Sequence, residues 1–289
     1  MQATPDFTGL WIPLITPFHH GAVDHPALTR LVKHLAREGV TGFVACGSTG
    51  EAAALDKTEQ LAVLDTVLKA SAGLPVVMGV SGYHMAHTQD WVKALCLQPI
   101  AGLLVSAPHY IRPSQAGLQH WFTALADCAT QPLIVYDIPY RTGSQLTLET
   151  LLALATHPNI CAIKDCGGDI AKTQALINDG RLQVLAGEDV QILGTLTLGG
   201  VGAIAASAHL CTKQFVQVLA LMRQGERLLA QPLWEPLHAL VQAVFAEPNP
   251  ALVKAALARQ GLIHNELRLP MMTASATAEQ NLLALLNPA

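Results

Sequence analysis

Eight short apolar runs recur along roughly the first 225 residues, each followed by a longer segment, in several cases plainly amphipathic. The runs are LWIPLITPF (10–18), TGFVACG (41–47), PVVMGVS (75–81), AGLLVSAP (101–108), PLIVYDIP (132–139), ICAIKDC (160–166), LQVLAGED (182–189) and VGAIAAS (201–207). Strands apolar on both faces belong in a parallel sheet covered by helices, because a sheet with one wet face alternates polar with apolar. Intervening stretches such as HPALTRLVKHLAREG, KTEQLAVLDTVLKASAG and SQAGLQHWFTALADCA carry the helical period those covers need. Eight strand–helix units predict a closed (β/α)8 TIM barrel, an α/β fold, over residues 1–225. An open doubly wound sheet is the alternative, but no GxGxxG follows the first run. Residues 226–289 read as helices broken at AEPNP (246–250) and LRLP (267–270), a C-terminal helical extension packed on the barrel.

Composition narrows the function class. Charged residues make up 13% of the chain, net charge is −4, and no Lys/Arg cluster exists to meet a nucleic-acid backbone. No apolar stretch of about 18 residues runs free of Gly, Pro and charge, so no membrane span is expected. MQATPDFTGLWIPLITPF lacks a basic leader region and has prolines in its apolar run, so no secretory leader is expected. The six cysteines show no CxxC spacing and read as reduced thiols of a cytoplasmic protein. The twelve histidines are scattered, without HExxH, so no metal site is expected; GxSxG and Walker A motifs are also absent.

In such barrels the chemistry sits at the C-terminal strand ends, so the polar residues there are the first candidates. The second run ends in CGSTGE (46–51), where Ser48 and Thr49 offer hydroxyls beside a helix start that favours an anion. A small carboxylate suits this loop; an ordinary βα turn has the same composition. Beyond the fourth run, SAPHYIRPS (106–114) carries Tyr110 and Arg112, as a site loop or a plain surface loop. The fifth carries Tyr136 within the run, as a site phenol or a core tyrosine, and Arg141 in the loop beyond. Arg141 is able to grip a carboxylate with two parallel hydrogen bonds, or simply to face solvent. The sixth carries Lys164 in CAIKDCGG (161–168). A buried, unpaired ammonium tends to lose its proton, and a neutral amine attacks carbonyls to form Schiff bases. The other reading pairs Lys164 with an acid such as Asp165 or Asp189; strand neighbours face opposite ways, which disfavours Asp165.

GSTGEA, PHYIRPSQAGL, YDIPYRTG and AIKD, in order at successive strand ends, resemble the dihydrodipicolinate synthase / N-acetylneuraminate lyase family of pyruvate-dependent class I aldolases. AGED (186–189), GAIAAS (202–207), EPNP (247–250) and LRLPM (267–271) extend the resemblance over nearly the whole chain. The resemblance implies that Lys164 forms an imine with pyruvate, that Tyr136 relays protons, and that Ser48 and Thr49 bind the pyruvate carboxylate and join the relay. It places Gly187 and Ile204 in the pyruvate pocket. Tyr110 matches a tyrosine that, in the synthases, completes the relay across a dimer interface. Arg141 matches the arginine that holds aspartate semialdehyde, which implies condensation of pyruvate with L-aspartate-4-semialdehyde in lysine biosynthesis. No metal or organic cofactor is implied, and the family forms homodimers or homotetramers. A second reading keeps the imine but takes a 2-keto-3-deoxy sugar acid or related 2-oxo acid; a third is a barrel that only binds pyruvate-like ligands.

The chain departs from the family pattern in places. Ser48 stands for threonine, His109 for a tyrosine, Asp165 for glutamate and Asp137 for asparagine. Asp137 is expected to add a negative charge near the site. SGYHMAH (81–87) lacks the asparagine and glutamate of lysine-inhibited synthases, and Lys57 and Gln60 stand where those often carry histidines. Inhibition by lysine is therefore predicted to be weak or absent.

Overall fold

The structure, a computed structural model, describes residues 5–286; the first four and last three residues of the regions read above lie outside it. Each apolar run forms one parallel strand: β1 (Gly9–Pro13), β2 (Gly42–Ala45), β3 (Val76–Val80), β4 (Gly102–Ser106), β5 (Leu133–Asp137), β6 (Ile160–Asp165), β7 (Gln183–Ala186) and β8 (Gly202–Ile204). They hydrogen-bond in chain order into a closed barrel, the TIM-barrel topology the spacing predicts. The strands are shorter than the runs because the chain stays buried as it turns away: Leu14, Ile15 and Phe18 follow β1, and Ala205, Ala206 and Ala208 follow β8.

By internal contacts the chain forms two compact units. One is Val77–Ala203 with the residues leading to Thr8; the other is Gly9–Val76 with the chain from Ile204 onward. In the first, β5 and β6 pair with Tyr136 opposite Lys164 and Asp137 opposite Asp165. The helix after β6, Ile170–Asp179, starts where Asp169 accepts from Lys172 N (3.0 Å) and stops at Gly180, whose φ of 75° suits only glycine comfortably.

The second unit contains the C-terminal helices Arg227–Val244, Ala251–Arg259 and Ala276–Leu286. Arg227–Val244 packs on Thr212–Arg223, with Phe215 edge-on to Trp234 at 6.1 Å. Pro232 and Pro236 lie inside it, one turn apart on its exposed face, each removing one donor from the helix. Just past the first run, sharing only Phe18 with it, the chain forms a hairpin, Phe18–His19 against Ala22–Val23. His20 (φ 53°) and Gly21 (φ 79°) turn it in the left-handed region that two-residue hairpins require, and Glu266 accepts from both backbone N–H groups (2.9 and 2.6 Å). No helix among the described residues is long and apolar enough to cross a membrane.

His209 follows β8 and is buried. Its Nε2 accepts from Ile15 N (3.3 Å) and its Nδ1 donates to Ala206 O (2.8 Å), so both nitrogens are used by a neutral ring. Burial pushes its pKa down to about 4 from 6.5. The unfolded chain therefore binds a proton that the native state refuses between those values, and stability falls as pH drops through that window. The difference corresponds to about 3 kcal/mol. Urea unfolding at pH 7 and pH 4.5 should show a loss of this size from His209, and His209→Leu should shrink the pH dependence by that amount while lowering stability at both pH values.

Candidate active site

Side chains alternate along a strand, so the β5–β6 register puts Tyr136 and Lys164 on one face and Asp137 and Asp165 on the other. Lys164 is 5% exposed. Its Nζ donates to Tyr136 Oη at 3.4 Å and lies 4.4 Å from the ring centroid. Gly187, just past β7, completes the group: its N–H donates to Asp165 O (2.9 Å), and a Cβ there would sit 2.8 Å from Lys164 Cγ and collide with Cys166 Sγ. The lysine stem thus lies against bare backbone. Gly187→Ala should displace the amine and lower turnover by on the order of 10²-fold, the cost of an ångström-scale misplacement. Steady-state kinetics beside a thermal melt would separate this from unfolding.

The opposite face corrects one expectation. Asp137 is fully buried and aimed at the helix Ile170–Asp179, not at Lys164. Lys172 Nζ donates to its Oδ2 (2.6 Å) and to Leu146 O (3.1 Å), and Leu146 N donates to its Oδ1 (3.2 Å). Burial pushes the Asp137 carboxyl up, and the Lys172 ammonium opposes that shift. Asp137 therefore adds no charge on the Lys164 side. Asp165 is engaged likewise, by Thr173 Oγ1 (2.5 Å) and Gly167 N (2.9 Å).

The loops beyond β4 and β5 carry Tyr110 and Arg141. Tyr110 is 88% exposed at φ 74°, tied down by its N–H to Thr142 O (3.2 Å). Arg141 lies in the short helix Pro139–Thr142, exposed, and its guanidinium makes no hydrogen bond or ion pair among the described residues. Neither residue bonds to Lys164.

In the second unit, the loop after β2 is a single tight turn, Ser48–Gly50, flanked by Cys46 and Glu51 in left-handed conformation (φ 52° and 51°). Gly50 is required there, because a Cβ would lie 2.8 Å from Leu14 O. Ser48 is exposed, and its hydroxyl makes no hydrogen bond among the described residues. Thr49 is buried, and its Oγ1 accepts from Asn249 Nδ2 (2.9 Å). Ile204 ends β8, fully buried. Sequence reasoning missed Glu51 and Asn249, although GSTGE and EPNP contain them; Glu51 adjoins the turn in sequence, but Asn249 reaches it across 200 positions.

His19, Asp24 and His264 offer ligand atoms within 4.8 Å of one another. The His19 and His264 rings stack nearly parallel (7°, 3.9 Å). The cysteines are free, and burial pushes the Cys46 thiol up to about 12 and Cys166 upward as well, away from thiolate chemistry.

Residues 6–289 match the family model described as the dihydrodipicolinate synthetase family. The 4-hydroxy-tetrahydrodipicolinate synthase 2 of Clostridium acetobutylicum is 34% identical over 95% of this chain and 97% of its own. The 4-hydroxy-tetrahydrodipicolinate synthase of Thermodesulfovibrio yellowstonii is 36% identical over 98% of each. Among solved structures, the chloride-inhibited dihydrodipicolinate synthase of Acinetobacter baumannii, complexed with pyruvate, superposes with a TM-score of 0.94 at 30% identity, covering 97% of this chain and 98% of that one.

Proposed function

The chain belongs to the dihydrodipicolinate synthetase family, and from that premise we propose that it is a 4-hydroxy-tetrahydrodipicolinate synthase. It condenses pyruvate with L-aspartate-4-semialdehyde through a lysine Schiff base, in lysine and diaminopimelate biosynthesis. One observation carries the chemistry. Of the three buried lysines, Lys172 pairs with Asp137 and Lys254 with Glu51, while Lys164 has no carboxylate partner among the described residues and touches a phenol instead.

The amine of Lys164 attacks the pyruvate ketone. Water leaves the carbinolamine to give the imine, and loss of a methyl proton gives the enamine; Tyr136 carries these protons, in relay with Ser48 and with Tyr110 of a second copy of the chain. The enamine carbon adds to the aldehyde of the second substrate. The substrate amine then adds to the imine carbon, expels Lys164 and closes the ring. The protonated imine is the electron sink, so the cycle as written uses no metal or organic cofactor. Thr49 binds the pyruvate carboxylate, Gly187 and Ile204 line its pocket, and Arg141 holds the second carboxylate; the open guanidinium of Arg141 supports that role. The exposure of Tyr110 supports a homodimer or homotetramer. The catalytic barrel is residues 1–225, with 226–289 its helical extension, in a cytoplasmic enzyme.

Purified protein should turn over pyruvate with aspartate semialdehyde and leave a panel of 2-oxo-3-deoxy acids unchanged. The reverse preference would replace the substrate assignment. Millimolar lysine should leave the rate nearly unchanged: Gln60 spends its amide on Ala52 O and Leu55 O (both 3.1 Å), and His84 and His87 stack on each other at 3.8 Å.

A further inference from the structure

EPNP and LRLP lie far along the chain from GSTGE, yet both converge on that turn. Asn249 is 8% exposed, and its amide reaches Thr49. Lys254, fully buried, pairs with Glu51 and donates to Glu266 O (2.8 Å). Arg268 N donates to Glu51 Oε2 (3.1 Å), while its guanidinium grips both oxygens of Glu59 (2.6 and 2.7 Å) and Ala54 O (2.8 Å). The Phe18 ring lies beneath both cations, 4.2 Å from Lys254 Nζ and 4.6 Å from Arg268 Cζ. Glu51 itself holds a left-handed conformation that a non-glycine residue keeps only when its surroundings over-determine it. These contacts supply that constraint.

A threonine hydroxyl has one proton and two lone pairs. With Asn249 donating to Oγ1, a lone pair is occupied and the Thr49 proton is free to point elsewhere. We propose that Asn249 is a positioning residue for the pyruvate carboxylate: it turns the Thr49 proton toward that carboxylate, on a turn that Glu51, Lys254 and Arg268 hold in place. The proposal rests on the reading that Thr49 binds pyruvate.

Borohydride trapping with pyruvate alone tests it, in wild type, Asn249→Ala, Thr49→Val and the double variant. Asn249→Ala should raise the half-saturating pyruvate concentration by about 10-fold, the loss of one buried hydrogen bond, with the adduct at saturating pyruvate unchanged. The double variant should be no worse than Thr49→Val, because the two residues act through one contact. Asn249→Asp, nearly the same shape but acceptor-only, should raise half-saturation further, by capturing the Thr49 proton; it also carries the test if the alanine variant does not fold. An unchanged half-saturation, or additive effects in the double variant, would overturn the positioning role. Absence of any wild-type adduct would overturn the imine reading and this proposal with it, a result distinct from either of those.

Discussion

Lys164→Ala should abolish the borohydride-trapped pyruvate adduct and lower turnover by on the order of 10³-fold or more, because no other group takes over a lost covalent nucleophile. The fold should survive. Among the described residues Lys164 makes one long hydrogen bond, to Tyr136, and pairs with no buried carboxylate that its removal would strand. Intact-protein mass spectrometry after reduction, alongside a thermal melt, reads both outcomes. Lys172 and Lys254 serve as internal controls, since both are buried but each ammonium is held by an acid. Peptide mapping that found the adduct on either of them would move the catalytic amine and refute the assignment. Lys164→Arg, which keeps the charge without a nucleophilic amine, should be as inactive as alanine.

Lys172→Met should be the most destabilising single change at the β5–β6 pair. It leaves Asp137, wholly buried, without its counter-charge, which costs about 3–5 kcal/mol. At about 2–4 °C per kcal/mol for a chain near this size, the melting midpoint should fall by roughly 10 °C. Replacing both partners, Asp137→Leu with Lys172→Met, should recover most of that loss, because the desolvated charge is then gone. Denaturant unfolding of the three proteins checks the ordering. A single variant as stable as wild type would show that the pair contributes little.

The contrast between these two lysines explains what was legible in the sequence. Lys164 stood out because a charge on a doubly buried strand has few innocent explanations, and alternation alone removed Asp165 as its partner. The eight strands stood out because both faces of each are apolar. Alternation also bore on Asp137, directly after Tyr136 and therefore facing away, but the family pattern drew attention to its charge first. Its partner was invisible: Lys172 is 35 positions away and reaches it only once a helix is laid across the strands. Thr49 and Asn249, 200 positions apart, meet for the same reason. The hairpin at His20–Gly21 hid because four paired residues, only Phe18 of them in the apolar run, are too few to leave a pattern.

Asp137 has a consequence for how relatives are sorted. The residue after the tyrosine invites use as a substrate label, since it adjoins the reactive phenol in sequence. Here it reports on the scaffold: an aspartate there calls for a lysine on the following helix, and an asparagine would not. In this chain the position fastens strand to helix, through the Asp137–Lys172 pair. On the proposed reading, sorting by substrate would look to Arg141, whose guanidinium lies 5.9 Å from the Tyr140 ring and makes no hydrogen bond or ion pair among the described residues.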